Sequence, residues 1–255
     1  MKKSMDAGKN EKKEAPKESP SVINVLSKKG SAPFPLRGPF SSSKRAKILI
    51  LDDHPILRRG IADFINTESD MTVCGEAEDS NQVLTMMASV KPDLVIADIS
   101  LNGSSGIEFL KTFKVEYPDI PTLVLSMHDE LLYAERVLRE GARGYVMKQE
   151  AVEKIVTAIR KILEGQIYLS DRMMERILEK KYMGQANLSP MESLSDRELE
   201  VFRLIGEGIT TVAIAKQLHR SVKTIETYRA RIKVKFNLKN NMELIRLAMH
   251  WAQNK

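Results

Sequence analysis

The sequence contains very little cysteine and lacks long apolar stretches. Its 255 residues include one cysteine, Cys74. A single cysteine excludes an internal disulfide, and no paired Cys or Cys/His spacing suggests a zinc site. No window approaches the roughly 18 consecutive apolar residues of a membrane span, and the Lys-rich start lacks the apolar core of a signal peptide. We therefore expect a soluble protein in a reducing, cytoplasmic setting, with no membrane partner.

Charge is distributed unevenly along the chain. Residues 1–46 contain 11 Lys and Arg against 4 Asp and Glu, residues 47–192 contain 17 against 24, and residues 193–255 contain 12 against 6. The net charges of these parts are therefore +7, −7 and +6. A basic C-terminal part suits a polyanion such as nucleic acid, because each Lys or Arg at a phosphate releases condensed counterions. A solvated basic surface is the alternative that charge alone leaves open.

Composition and periodicity divide the chain into four segments. Residues 1–45 are rich in Lys, Ser, Pro and Gly, which predicts a disordered basic tail; nonspecific DNA binding by this tail is an alternative to a solvated leader. Residues 46–165 predict an α/β domain, and residues 193–255 predict an all-α domain of four helices. The linker between them, residues 166–192, has a weakly amphipathic centre that indicates a short helix.

The α/β domain alternates short apolar runs with amphipathic stretches. Five runs predict buried strands: KILILD, MTVCGE, DLVIAD, TLVLSM and GYVMK. Five amphipathic stretches predict helices near residues 56–66, 80–90, 106–117, 129–140 and 150–164. This alternation implies a doubly wound parallel sheet, for which we expect flavodoxin-like strand order.

Acidic residues follow two of the predicted strands. Asp52 and Asp53 end the first, and Asp98 ends the third. In flavodoxin-like order these strands are neighbours, so the three carboxylates converge at one edge of the sheet. Like charges about 4 Å apart repel by roughly 4 kcal/mol at an effective dielectric near 20, which calls for a counter-cation. Oxygen ligands favour Mg²⁺; the alternative for each Asp is to cap the next helix.

Two further strand ends complete a plausible phosphate site. Ser126 ends the fourth run with a hydroxyl, and Lys148 follows the fifth with an ammonium group. With Mg²⁺, these groups would support attack of a carboxylate on phosphorus to give an acyl phosphate. Taken singly, Ser126 could be a turn residue and Lys148 a solvent-facing lysine. Their joint occurrence with the three acids favours the site.

The segments LILDDH, DLVIADISLNGSSGIE, TLVLSMHDE and GARGYVMK resemble the signature segments of CheY-like receiver domains, over about residues 46–165. The resemblance implies the following roles: Mg²⁺ ligation by Asp52, Asp53, Asp98 and the carbonyl of Ser100, phosphate acceptance by Asp98, a switch hydroxyl on Ser126, a switch aromatic ring on Tyr145, and phosphate contact by Lys148. It also implies a sensor histidine kinase or a small phosphodonor as partner.

The sequence departs from the receiver pattern directly after Asp98. Leu101 and Asn102 stand where a Met-Pro pair is common, whereas Gly106 is retained, so we expect an altered loop rather than a lost site. His54, beside the acids, is an alternative metal ligand, although an ordinary loop position is the simpler interpretation.

Helix signals in the second domain are closely spaced. Ser195 and Glu198 form a capping-box pattern, a helix near residues 211–218 is followed by a tight turn, and Ser221 can cap a helix to about Phe236. On a helical wheel of about 100° per residue, this last helix turns Ile225 inward, with Arg229, Ile232 and Phe236 within about 40° of it. The short turn is typical of a helix-turn-helix, although three-helix packing without DNA binding is the alternative.

The segment LSDRELEVFRLIGEGITTVAIAKQLHRSVKTIETYRARIKVKFNLKNNMELIRLA resembles the LuxR-type output domain of NarL/FixJ regulators. The resemblance implies that the helix at 222–236 enters the major groove. The DNA-binding residues that we then expect are Lys223, Thr224, Glu226, Thr227, Arg229, Ala230, Arg231 and Lys233. Among them Glu226, Thr227 and Ala230 are the base-facing positions. The wheel points the stem of Arg229 toward the core, so this residue reaches DNA only if it snorkels outward.

These features together predict a two-component response regulator, in which phosphorylation of Asp98 controls DNA binding and transcription. The last helix carries an apolar stripe that either packs in the core or forms the homodimer expected on phosphorylation. A phosphorylation-independent DNA-binding regulator is the main alternative. A metal-dependent phosphohydrolase is disfavoured, because it would need an acid two residues after the nucleophile, where Ser100 stands. We therefore expect a regulator and not an enzyme.

Overall fold

The computed structural model describes residues 44–101, 106–183 and 190–253. Apart from Lys44 and Arg45, the tail predicted at residues 1–45 lies outside the described residues, as does Asn102 of the predicted altered loop. Among the described helices, none combines the length and the apolar character needed to cross a membrane.

A five-stranded parallel sheet forms the α/β domain, with the strand order β2-β1-β3-β4-β5. The strands are β1 Ala46–Leu51, β2 Met71–Ala77, β3 Leu94–Asp98, β4 Thr122–Ser126 and β5 Gly144–Met147. The helices are α1 Pro55–Thr67, α2 Ser80–Val90, α3 Gly106–Glu116, α4 Glu130–Arg139 and α5 Val152–Leu163. The predicted doubly wound fold is confirmed.

Helices cover both faces of this sheet, because alternate side chains of each strand point to opposite faces. In β1, Ile48 and Ile50 belong to a buried cluster with residues of α1 and α5. Leu49 and Leu51 belong to a second cluster, which contains residues of α2, α3 and α4. The strands are therefore apolar on both faces, and the polar residues that follow them are displayed at the carboxyl edge.

The helix predicted within the linker is present as α6, Asp171–Met183. Its Met173 and Ile177 are buried in the same apolar cluster as α4, and Lys180 Nζ lies 2.8 Å from Glu135 Oε2 of α4. At its start, the buried carboxylate of Glu130 accepts hydrogen bonds from both the amide and the hydroxyl of Ser170. The helix is thus packed along the α/β domain.

Four helices and a short 3₁₀ turn, Pro190–Ser193, make up the C-terminal domain among residues 190–253. The helices are α7 Asp196–Gly206, α8 Thr211–Gln217, α9 Val222–Lys235 and α10 Asn241–Gln253. Ser195 and Glu198 form the predicted capping box on α7, and Ser221 accepts a hydrogen bond from Thr224 N at the start of α9. These caps satisfy amide groups that a helix start leaves free.

Candidate functional site

The predicted acids converge at the carboxyl edge of the sheet. Asp52 and Asp53 directly follow β1, and Asp98 is the last residue of the neighbouring strand β3. One ligand atom from each of these carboxylates, together with one ring nitrogen of His54, lies within 4.8 Å of all the others. The strand order therefore brings together side chains that are 46 positions apart, from Asp52 to Asp98.

Lys148 provides a positive charge between two of these acids. Its Nζ atom lies 2.6 Å from Asp52 Oδ2 and 2.8 Å from Asp98 Oδ2, and its side chain is only 2% exposed. The amide of Lys148 donates to the carbonyl of Ser126 across the ends of β4 and β5, which fixes where the lysine leaves the sheet. The ammonium group thus offsets the repulsion that the sequence predicts between the carboxylates.

Asp98 is held in a buried environment that affects its protonation. Burial raises the pKa of its carboxyl group above the ordinary value, and Lys148 and the amide of Ser100 oppose this effect. The Ser100 amide donates to Asp98 Oδ1 over 2.7 Å, whereas Lys148 contacts Oδ2. Both oxygens of Asp98 therefore have defined partners, which restricts the orientation of the carboxylate.

The donor atoms of this cluster fit a hard divalent cation. Three carboxylates supply oxygen ligands, which Mg²⁺ prefers, and few protein ligands leave positions for water or phosphate oxygen. His54 Nδ1 lies 2.8 Å from Asp53 Oδ1 and 3.2 Å from Asp52 Oδ1, so the imidazole belongs to the same cluster. An acidic pocket of this kind is typical of Mg²⁺ binding in receiver domains.

The two predicted switch residues are linked through His128. Ser126 is fully buried, and its Oγ accepts a hydrogen bond of 3.0 Å from the His128 amide. The hydroxyl of Tyr145 donates to the His128 carbonyl over 2.8 Å, and burial raises the pKa of this phenol. Sequence reasoning missed His128. Its position two residues after Ser126 was the only signal.

Helix α9, which the resemblance places in the major groove, exposes most of its candidate DNA-binding residues to solvent. Lys223, Glu226, Thr227, Ala230 and Arg231 are exposed, and Thr224 and Lys233 are half-buried. Ile225 and Ile232 pack inward with no exposed surface, as the wheel predicts. The exposed face therefore combines small, polar and basic side chains, a composition suited to a major groove.

Arg229 is not part of this exposed face. It is 7% exposed, and its guanidinium donates a 2.8 Å hydrogen bond to Thr211 Oγ1 at the start of α8. This contact joins the two helices of the predicted helix-turn-helix. The structure therefore separates Arg229 from the seven other candidate DNA-binding residues and gives it a role in packing.

We expect Arg229→Ala to lower the free energy of unfolding by about 2 kcal/mol, because it deletes a buried charged hydrogen bond. Arg231→Ala, on the exposed face of the same helix, should change that quantity by less than about 0.5 kcal/mol. Urea unfolding followed by circular dichroism measures both. Unchanged unfolding in the Arg229 variant, combined with weaker DNA binding, would instead favour the phosphate-contact role.

The C-terminal domain contacts the α/β domain through α7 and the preceding 3₁₀ turn. Arg136 of α4, which is 6% exposed, lies 3.0 Å from Asp196 Oδ1 and also donates to the Met191 carbonyl. Arg197 of α7 forms an ion pair with Glu108 of α3. These contacts leave the outer face of α9 exposed. Local sequence patterns gave no signal for them, because they depend on how the two domains meet.

Comparison with known proteins agrees with this two-part organisation. Residues 48–160 match the family described as response regulator receiver domain, and residues 192–248 match bacterial regulatory proteins of the luxR family. Oxygen regulatory protein NreC of Staphylococcus carnosus is 35% identical over 209 residues, which cover 80% of this chain and 96% of that protein. The chain belongs to the NarL/FixJ-type response regulators. It is thus a two-component response regulator with a DNA-binding LuxR-type output domain, in a family of transcription regulators.

Solved structures of RcsB are similar to this response regulator over both domains. RcsB of Salmonella enterica serovar Typhimurium, bound to a promoter in the presence of the phosphomimetic BeF₃⁻, is 29% identical with a TM-score of 0.62 and covers 80% of this chain and 98% of that chain. A structure of two RcsB dimers on two parallel DNAs is 29% identical with a TM-score of 0.50 and covers 80% and 97%. All the predicted site residues of the response regulator fall within the two family matches.

Proposed function

We propose that phosphorylation of Asp98 controls sequence-specific DNA binding by α9, and thereby transcription. The observation that carries this proposal is the position of Asp98, buried at the carboxyl edge between Lys148, the Ser100 amide and the other acids. The phosphoryl donor is a sensor histidine kinase or a small phosphodonor.

In the proposed transfer, an oxygen of the Asp98 carboxylate forms a bond to phosphorus. The bond from phosphorus to the leaving nitrogen or oxygen of the donor breaks, and its electron pair leaves with the donor. Lys148, already in contact with Asp98, stabilises negative charge on the phosphoryl oxygens. Asp52, Asp53, Asp98 and the Ser100 carbonyl would hold Mg²⁺. When bound, Mg²⁺ neutralises charge on the transferring group.

Ser126 and Tyr145 are the proposed switch residues. A phosphoryl group on Asp98 gives the Ser126 hydroxyl a new hydrogen-bond acceptor. Tyr145 then changes position with Ser126, because both side chains are hydrogen-bonded to the main chain of His128. The change alters the surface of α4, which contacts the output domain.

We further propose the following arrangement on DNA. Three residues of α9 face base edges: Glu226, Thr227 and Ala230. Four others lie along the phosphates: Lys223, Thr224, Arg231 and Lys233. Arg229 does not contact DNA and instead holds α9 against α8 through its hydrogen bond to Thr211. A phosphorylated homodimer would contact two half-sites about one helical turn apart, roughly 34 Å. The similar structure of RcsB dimers bound to DNA supports a dimer as the DNA-bound form.

The remaining parts of the proposal concern context. The receiver at 46–165 and the output domain at 193–255 are joined by the linker at 166–192, with the basic tail at 1–45. The chain works in the cytoplasm, where its DNA lies, and acts as a regulator rather than as an enzyme that turns over an external substrate.

Selection of binding sites from random DNA, with and without acetyl phosphate and Mg²⁺, tests the whole proposal. We expect enriched sites to contain two half-sites about 10 base pairs apart, centre to centre, and to bind more tightly when the phosphodonor is present. Sites enriched only as isolated half-sites, with an affinity that the phosphodonor leaves unchanged, would contradict coupling between the domains.

One observation favours the second candidate, a phosphorylation-independent regulator. The outer face of α9 is exposed while Asp196, at the start of α7, is in contact with Arg136 of the α/β domain. Under this candidate, Asp98→Ala would bind DNA with the affinity of the unmodified chain, and the phosphodonor would change neither.

A further inference from the structure

The side chain of His128 lies between the phosphorylation site and helix α4. Its Nε2 atom is 3.1 Å from the hydroxyl of Ser100, which follows Asp98 by two residues. The ring also stacks on that of Tyr133, with centroids 4.7 Å apart and planes inclined by 24°. One imidazole ring therefore joins the loop after β3 to the second turn of α4.

The main chain of His128 connects to both proposed switch residues. Its amide donates to Ser126 Oγ, and its carbonyl accepts from the Tyr145 hydroxyl. A Ser126 hydroxyl that turns to donate to a phosphoryl group on Asp98 would shift the Oγ atom to which the His128 amide donates. The His128 main chain is therefore tied by hydrogen bonds to the side chains of both Ser126 and Tyr145.

Tyr133, on which the His128 ring stacks, packs close to the output domain. It is 5% exposed and belongs to the apolar cluster that also contains Met191, Leu199 and Phe202 of the C-terminal domain. Burial raises the pKa of its phenol, and Arg203 and Glu200 of α7, with Glu207 directly after that helix, lie close enough to affect it. One helical turn further along α4, Arg136 makes its ion pair with Asp196 of α7.

We propose that His128 couples the phosphorylation site to α7 of the output domain, through the stack of its ring on Tyr133. This inference rests on the proposed function, because it takes Asp98 as the phosphoacceptor. When Ser126 turns to the phosphoryl group, the His128 backbone moves and its ring carries Tyr133 with it. The displacement of α4 separates Arg136 from Asp196 and loosens the hold on α7.

The coupling depends on an aromatic ring at position 128, which allows a matched set of variants. His128→Ala removes the ring, whereas His128→Phe keeps a ring that stacks on Tyr133 and deletes only the contact with Ser100. Met127→Ala alters the neighbouring, 51% exposed side chain of the same loop and serves as the control. All variants keep the main chain bonded to Ser126 and Tyr145.

Hydrogen–deuterium exchange of the full chain, with and without beryllium fluoride and Mg²⁺, tests the proposal. In wild type we expect beryllium fluoride to slow exchange around Asp98 and to speed exchange in α7 by about tenfold. His128→Ala should show the effect around Asp98, with less than about a twofold change in α7. His128→Phe should retain at least half of the wild-type response, and Met127→Ala all of it.

Three results would overturn the inference while leaving the proposed function in place. They are a full α7 response in His128→Ala, an equal loss in Met127→Ala, or a wild type that binds beryllium fluoride at Asp98 without any change in α7. A fourth such result is a loss of the response in His128→Phe equal to that in His128→Ala, because the stacked ring would then not be the coupling element. Failure of wild type to bind beryllium fluoride would overturn the proposed function together with the inference.

Discussion

Asp98→Asn should abolish the transfer of labelled phosphate from acetyl phosphate to the chain, with at least about a hundredfold loss of signal. Asparagine matches aspartate in size but lacks the anionic oxygen that attacks phosphorus. The wild-type label should depend on Mg²⁺ and should be lost with EDTA. It should also fall in Asp53→Asn, which removes one proposed metal ligand but leaves the acceptor.

Folding of the Asp98 variant can be checked independently. Burial raises the pKa of the Asp98 carboxyl group. The protonated Asp98 carboxyl group therefore stabilises the fold at a pH below its pKa in the unfolded chain. This stabilisation is lost as the pH rises through the pKa of the same group in the folded chain. At pH 7 the buried charge is unfavourable, so Asp98→Asn should unfold at the wild-type temperature or above it, because Lys148 keeps Asp52 as its partner.

Asp119→Asn, at an exposed position between α3 and β4, is the matched control and should accept label normally. Normal labelling of the folded Asp98→Asn variant would refute the assignment of the phosphoacceptor. The alternative in which the receiver is inactive predicts that wild type accepts no label at all.

The double variant Lys223→Ala, Arg231→Ala should weaken DNA binding by about 10- to 100-fold at physiological salt, because it deletes two proposed phosphate contacts. The slope of log affinity against log salt concentration should become shallower by about 1.8, since each contact contributes about 0.9. Both side chains are exposed, so the free energy of unfolding should stay within about 0.5 kcal/mol of wild type for each.

Arg172→Ala, Lys181→Ala makes a matched control, since it removes the same charge from exposed positions of α6. This control should leave the salt slope unchanged. If both pairs weaken binding equally, net charge rather than the surface of α9 is responsible. Measurement by fluorescence anisotropy over 50 to 200 mM salt separates the two outcomes.

The convergence of the acidic residues and Lys148 could be predicted from the sequence because parallel strands end at one edge. Four of the site residues stand at the end of an apolar run or just after it: Asp52, Asp98, Ser126 and Lys148. The order of the strands in the sheet then places these residues side by side. The helical wheel also placed Arg229 correctly toward the core, whereas the family resemblance assigned it to the DNA surface. Its actual partner, Thr211, could not be inferred, because it depends on the crossing of α8 and α9.

The contacts between domains could not be predicted from local patterns. In the sequence, Asp196 has the pattern of an acidic residue in the first turn of a helix. In the structure, its carboxylate accepts a hydrogen bond from Arg136, which lies 60 residues earlier. The linker helix α6 likewise has a pattern that predicts helicity but not its packing partner. Such pairings are decided by the fit of whole surfaces, to which each residue adds only a small part.

The receiver holds the output domain by α7 and leaves the outer face of α9 uncovered. Contact between the two domains therefore does not block α9, and we expect a single copy of the chain to bind promoter sites, with short residence. A signal would then lengthen the time that the chain stays bound to a promoter, because it brings two copies together. It would not be needed for a single copy to reach the DNA. Promoters with a single good half-site should show appreciable occupancy before stimulation, and those with two weak half-sites should respond most steeply to it.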